Sequence, residues 1–248
     1  MQKKQSIIYG RHPVLEAIQS GAALEKVFLQ KNMSADLERE VRAGCKEHDI
    51  SIQYVPKEKL NRLCSGIHQG LVAFVSLITY SKLSDIIPFI YEQSETPLFL
   101  ILDGITDVRN FGAIARSAEL CGVHAIIIPE KGGATVNEDS MKTSAGALNR
   151  IAVCKEKDLL KVVEEFKMNG VQVVASILDA TKMIYDCDLS GPTALVLGSE
   201  DTGVSSRLRS VIDDSFIIPQ KGKGNSFNVS VAGGIMLYEV SRQRIVST

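Results

Sequence analysis

The residues best equipped for chemistry in this 248-residue chain lie in three polar or glycine-rich segments of its C-terminal two-thirds. The first, Leu102 to Gly112, carries Asn110, and Arg116 follows six residues later. The second, Val196 to Val204, carries Gly198, Glu200 and Gly203. The third, Ile217 to Glu239, runs through Pro219, Gly222 and Gly224 to Ser226 and Asn228, and then becomes apolar. Asn228 has the right side chain to cap a helix, because its oxygen can accept from the free amides of a first turn. A strand end, a glycine loop and a capped helix start make a place for an anion or the polar edge of a ligand. Glu200 would stand at a strand's C-terminal end, able to accept from a ligand or to cap its own loop. Taken singly, each has a plainer reading: a salt-bridged surface arginine, a loop-capping carboxylate, an ordinary strand-to-helix turn.

Five nearly continuous apolar runs position these segments: Leu98–Leu102, Ala125–Ile128, Val171–Ala175, Ala194–Leu197 and Phe216–Ile218. Helical patterns lie between them. Strands apolar on both faces and separated by helices predict an α/β fold with a parallel sheet covered on both sides. Ligands in such folds bind beyond the C-terminal ends of the strands, where the three segments fall.

Residues 1–78 form a smaller α/β pattern, with strands expected at Val27–Leu29, Ile50–Val55 and Gly70–Ile78. Helices are expected after Pro13, from Ser34 to about Glu47, and over Lys57–Leu63. Gly66 to Gly70, with His68, reads as a polar, flexible approach to the last strand and a candidate RNA-contacting loop. His68 suits a surface or capping role better than a catalytic one. Residues 79–96 end in polar residues and Pro97, and read as a linker carrying one helix. Residues 97–248 follow as the larger domain.

Composition bounds the function. Hydrophobic residues make up 45% and charged residues 23%, as in a globular protein with a real core. No apolar run approaches the roughly 18 residues that span a bilayer. The opening MQKKQSIIYGRHP lacks the apolar segment of a secretory signal. Five scattered cysteines without a CxxC pair favour reduced thiols in the cytoplasm over disulfides or zinc, and the four separated histidines suggest no metal cluster. The net charge of −1 excludes a strongly basic nucleic-acid binder. Even so, residues 1–78 hold 11 Lys/Arg against 8 Asp/Glu, and Lys221, Lys223, Arg242 and Arg244 add basic side chains, so RNA binding is permitted. GxGxxG, GxxxxGK[ST] and Gly-x-Ser-x-Gly are all missing, which disfavours a dinucleotide enzyme, an NTPase and a serine hydrolase.

Together the three segments resemble the three motifs of the SpoU (TrmH-like) branch of the SPOUT RNA methyltransferases. The resemblance rests on Arg109-Asn110-Phe111-Gly112 with Arg116, on Leu197-Gly198-Ser199-Glu200-Asp201-Thr202-Gly203, and on Ile218-Pro219 through Ser226-Phe227-Asn228-Val229-Ser230. Tyr9 to Ala17 and His68 to Ala73 are similar to the ribosomal-protein-like substrate-binding domain of the same family, in the pairing found in bacterial 23S rRNA guanosine-2'-O-methyltransferases.

The resemblance implies S-adenosylmethionine as donor, a ribose 2'-hydroxyl as acceptor, a trefoil knot and a homodimer with the active site at the subunit interface. It implies catalytic roles for Arg116, Asn110, Glu200, Ser226 and Asn228. Gly198, Leu197, Ile218, Phe227 and Asn228 would line the donor pocket, largely through main-chain contacts. Gln220 and Phe227 depart from the Met and Leu usual at those positions, beside the donor. The expected partner is ribosomal RNA. A tRNA ribose methyltransferase, and a catalytically silent RNA-binding or ribosome-assembly protein of the same fold, are the alternatives.

Overall fold

A computed structural model describes residues 7–48, 50–222 and 224–246. Lys223 and the two N-terminal lysines lie outside them. The chain divides into two compact units, Met1–Thr79 and Tyr80–Thr248.

The first unit runs β1 (Ile7–Tyr9), α1 (Arg11–Gln19), β2 (Leu24–Gln30), α2 (Ala35–Glu47), β3 (Ile52–Val55), α3 (Lys57–Leu63) and β4 (Leu71–Val75). Its four strands lie in the order β1-β4-β2-β3, with β2 and β3 parallel and the β4 pairings antiparallel. Side chains alternate across each strand, so the sheet has two different faces. One buries Val27, Leu29, Leu71 and Ala73 under Val14, Ile18, Leu37 and Val41 of α1 and α2. The other packs Phe28, Val55 and Val72 against Leu60 of the seven-residue α3.

The second unit runs α4 (Leu83–Glu92), β5 (Leu98–Asp103), α5 (Val108–Leu120), β6 (Ala125–Pro129), α6 (Glu138–Thr143), β7 (Ala152–Glu156), α7 (Leu159–Met168), β8 (Gln172–Ser176), β9 (Lys182–Met183), β10 (Thr193–Gly198), α8 (Ser206–Arg209), β11 (Asp214–Ile217) and α9 (Val229–Val246). All seven strands are parallel, in the order β7-β6-β5-β10-β8-β11-β9. Each of the five apolar runs is a strand. β7 and the two-residue β9 complete the sheet: the apolar run of β7 gives way to Lys155 and Glu156, and β9 has no apolar run at all.

Alternate strand residues Phe99, Ile101, Ala125, Ile127, Val173, Ala194 and Val196 share a core with Leu83, Ile87 and Ile90 of α4, Val162 and Phe166 of α7, and Leu208 of α8. The Phe99 and Phe166 rings lie 4.6 Å apart between centroids. The helix expected in a linker thus contributes three buried side chains to this core. On the opposite face α5 packs against α6 and α9, and α9 against β10. The packing of α9 is close: a Cβ on Gly233 would lie 3.0 Å from Leu197 Cδ1.

Strand order reverses at β5 and β10, which are paired in register from Thr193↔Leu98 to Gly198↔Asp103. β5 leads outward through α5 to β6, whereas β10 leads to β11 on the other side. The crevice beyond such a reversal is where open parallel sheets bind ligands. No helix among the described residues is long and apolar enough to cross a membrane.

Candidate active site

Three loops meet at the C-terminal ends of β5, β10 and β11, and each is shaped by local chemistry. After β5, Asp107 begins α5: its carboxylate accepts from the Arg109 and Asn110 amides at 2.9 and 2.8 Å. An acidic N-cap there satisfies orphan donors and complements the helix dipole, and it holds Asn110 in the first turn. Gly112 lets α5 approach α6, since a Cβ there would lie 2.7 Å from Ser140 O.

After β10 the chain folds back on itself. Ser199 and Gly203 exchange both backbone hydrogen bonds, at 3.1 and 2.9 Å, and Ser199 Oγ accepts from Thr202 N–H at 3.1 Å. Gly203 takes a left-handed φ of 67°, and a Cβ on Gly198 would sit 2.1 Å from both Gly203 C and Val204 N. Only glycine fits at position 198, because the clash is with backbone that cannot swing aside. The loop is tied to β5 by Ser205 N–H, which donates to Asp103 Oδ2 at 2.7 Å.

After β11 the chain reaches α9 through Asn228. Asn228 Oδ1 accepts from Ser230 N–H at 3.0 Å and Ser230 Oγ at 2.6 Å, the capping interaction its type predicts. Its amide end points the other way. Asn228 Nδ2 donates to Glu200 Oε1 at 2.8 Å and to Asn110 Oδ1 at 3.2 Å, while Asn110 Nδ2 donates to the same Glu200 oxygen at 3.0 Å. Three residues separated by up to 118 positions therefore form one closed triangle. One carboxylate oxygen takes two amide donors, and the other has no partner among the described residues. Hydrogen bonds to a charged acceptor are the stronger kind, so Glu200 fixes the orientation of both carboxamides.

The other expected residues stand outside this triangle. Arg116 is exposed on α5 and makes no hydrogen bond or ion pair with another described residue. At 1.5 Å and 100° per residue, it lies about 9 Å along the helix from Asn110 and a third of a turn away. Ser226 is exposed in the segment before α9, also without a described partner. Leu197 and Ile218 are buried and Phe227 is partly exposed. The Leu197 side chain faces α9, so its contribution to the crevice is its main chain.

Two residues with no assigned part turn out to position the site: Asp107, as helix cap, and Asp103, as loop tie. An Asp three residues ahead of Asn110 and just before an apolar periodicity was the available signal for the first. Of the C-terminal basic residues, Arg242 pairs with Glu239 at 2.7 Å. Arg244 donates to the carbonyls of Thr96, Pro97 and Gly191, each at 2.9 Å. These two guanidiniums act within the unit rather than as free surface charges.

Comparison with known proteins gives the family and the fold. The SpoU rRNA Methylase family matches residues 97–238, and the RNA 2'-O ribose methyltransferase substrate-binding family matches residues 7–81. YacO of Bacillus subtilis, which carries a provisional TrmH-family tRNA/rRNA methyltransferase name, is 35% identical over 98% of each chain. A TrmH/SpoU tRNA-modifying enzyme of A. aeolicus is 31% identical, with a TM-score of 0.57 over 66% of this chain and 85% of its own. The SpoU methyltransferase AviRb of Streptomyces viridochromogenes, solved with AdoMet, shares the fold at 24% identity and a TM-score of 0.62, covering 98% of this chain and 91% of its own.

Proposed function

The chain belongs to the SpoU rRNA methylase family of RNA methyltransferases, and we propose that it methylates a ribose 2'-hydroxyl of a guanosine in 23S rRNA. The observation that carries this reading is the Asn110–Glu200–Asn228 triangle, which assembles all three motif segments at the strand-order reversal. The donor is S-adenosylmethionine, which brings a methyl carbon already activated on a sulfonium.

The residues present fit that group. Gly198 lets the Ser199–Gly203 loop fold tightly against the strand end, because any side chain there would strike the Gly203–Val204 backbone. Phe227 offers apolar surface just before α9, and Glu200 has one carboxylate oxygen without a partner among the described residues, able to take a hydroxyl or ammonium. Gly198, Leu197, Ile218, Phe227 and Asn228 would hold the donor.

A ribose hydroxyl is a weak acid that must lose its proton, here to solvent, as it attacks. Arg116, exposed and uncommitted, can fork onto a phosphate oxygen beside that hydroxyl. A guanidinium is a poor base, so its work is to position the nucleophile and offset developing negative charge. Asn228, committed at both ends, holds Asn110 and Glu200 in place, Asn110 keeps one amide hydrogen for the reacting edge, and Ser226 supplies a hydroxyl at the same loop.

Further readings accompany this one. The chain acts as a homodimer in the cytoplasm, supported by an exposed apolar stripe on α9: Val231, Tyr238 and Ile245 repeat at seven-residue intervals, with Phe227 four residues before. Residues 1–78 serve as the RNA-binding domain, and the catalytic domain carries the trefoil knot of its family. The preference for rRNA over tRNA rests on the resemblance of the N-terminal segment to the pairing found in 23S rRNA enzymes; the substrate-binding family match is to RNA 2'-O ribose methyltransferases in general. Ribose methylation mapped across all RNA of a strain lacking the protein tests the substrate. Loss of one guanosine mark in 23S rRNA is expected, and loss confined to tRNA would overturn it.

A further inference from the structure

The two faces of the N-terminal sheet are unequally covered, and the thinly covered one ends in exposed side chains. Residues directly opposite across antiparallel strands share a face. Tyr9 pairs with Val72 and Val72 with Phe28; Ile7 pairs with Phe74 and Phe74 with Lys26. These two rows lie on the α3 side. Phe28 is buried beneath α3, with Lys59 Nζ 5.7 Å from its ring centroid. α3 is too short to reach the edge strand, so Ile7 remains 38% exposed and Tyr9 44%.

Tyr9 is nevertheless held in place. A Cβ on Gly66 would lie 2.3 Å from Tyr9 Cε2 and 2.6 Å from Cζ, so the ring lies directly against the glycine. The loop that carries Gly66 is itself fastened. Buried His68 accepts from Gly70 N–H at Nδ1 (2.9 Å), which leaves Nε2 to donate to Asn61 Oδ1 (2.8 Å). Gln69, at a left-handed φ of 48°, accepts from Arg11 N–H at 3.0 Å. The approach to β4, expected to be flexible, is pinned at three points, and His68 is a pin rather than a ligand-facing group. Ile67, between these pins, is 84% exposed. The Tyr9 hydroxyl has no partner among the described residues.

We propose that Tyr9 and Ile67 form a platform on which an unpaired RNA base stacks, with Lys26 and Lys59 meeting the neighbouring phosphates. An immobilised aromatic ring beside cations on a four-stranded sheet is the chemistry that binds single-stranded RNA. The two lysines favour an anionic partner over an apolar protein surface. The inference rests on the RNA-methyltransferase reading and names the surface that holds the substrate away from the reacting ribose.

The test is fluorescence anisotropy of labelled oligouridylate with the full-length protein. Tyr9→Ala should weaken binding by about 5- to 150-fold, the worth of one base–aromatic stack. Tyr9→Phe should bind like the parent, and Tyr9→Leu, apolar but without a π face, should bind like Tyr9→Ala. Gly66→Ala keeps the tyrosine but displaces its ring, and should add little to the loss in Tyr9→Ala. Lys26→Ala should lower the salt dependence by about one phosphate contact. Binding by the parent that is equal in Tyr9→Ala overturns the platform and assigns this face to another occupant such as a protein. No binding by the parent also overturns it. If rRNA methylation persists in either case, the methyltransferase reading stands and only the platform falls.

Discussion

Asn228 donates an amide hydrogen to Glu200 at 2.8 Å, while the oxygen of the same carboxamide caps α9 at Ser230. Both ends of this side chain are thus committed, and its orientation is set from two directions. Replacing the donor end alone should be worse than removing a bland contact. In Asn228→Asp the cap can persist, but two carboxylates would face each other at the triangle. We expect kcat to fall on the order of 10²-fold, the effect of misplacing a reacting edge by about an ångström. The RNA Kd should change little. Steady-state kinetics alongside RNA binding measure both, and unchanged kcat would remove the triangle from the mechanism.

Gly198 makes a separate prediction because its constraint is steric. Gly198→Ala would press a methyl group into the Gly203–Val204 backbone, so the Ser199–Gly203 loop must open. S-adenosylmethionine affinity, read by calorimetry, should drop at least tenfold, a loss of about 1.4 kcal/mol. The rest of the sheet should remain folded by circular dichroism.

The stripe on α9 predicts assembly. Tyr238 is 67% exposed at the centre of the heptad-spaced row. Tyr238→Glu would bury a charge in the dimer, so light scattering should report a dimer for the parent and a monomer for the variant. A monomeric parent would remove the homodimer from the account.

Arg244 predicts a stability effect away from the site. Its guanidinium holds three carbonyls at the start of β5 and before β10, and burial pushes its pKa down without removing its charge. Arg244→Met keeps most of the stem and loses those bonds. The expected cost is about 2 kcal/mol, or roughly 4–8 °C in thermal midpoint for a unit of this size.

Much of the fold was legible because burial on two faces leaves a simple trace. Leu98–Leu102 and Ala194–Leu197 are apolar without interruption, since helices cover both sides of the central strands. β7 escaped notice because at the sheet's edge its run ends in Lys155 and Glu156, and β1 because three edge residues carry little pattern. The capping role of Asn228 followed from residue type. Its contact with Glu200 did not, because that depends on α9 packing against β10, a non-local contact. The same limit hid Asp103. The openness of Arg116 was equally unreadable, since an arginine on a half-apolar helix is as often paired as free.

The claim that the triangle and Arg116 serve ribose methylation is tested most directly by nucleoside analysis. Purified protein, S-adenosylmethionine carrying a labelled methyl group and unmodified 23S rRNA would be incubated, and the digested RNA resolved by mass spectrometry. The account predicts label on the ribose of guanosine, as 2'-O-methylguanosine, and its loss in Arg116→Ala with donor binding retained. Label on a base, or undiminished ribose methylation by Arg116→Ala, would contradict it.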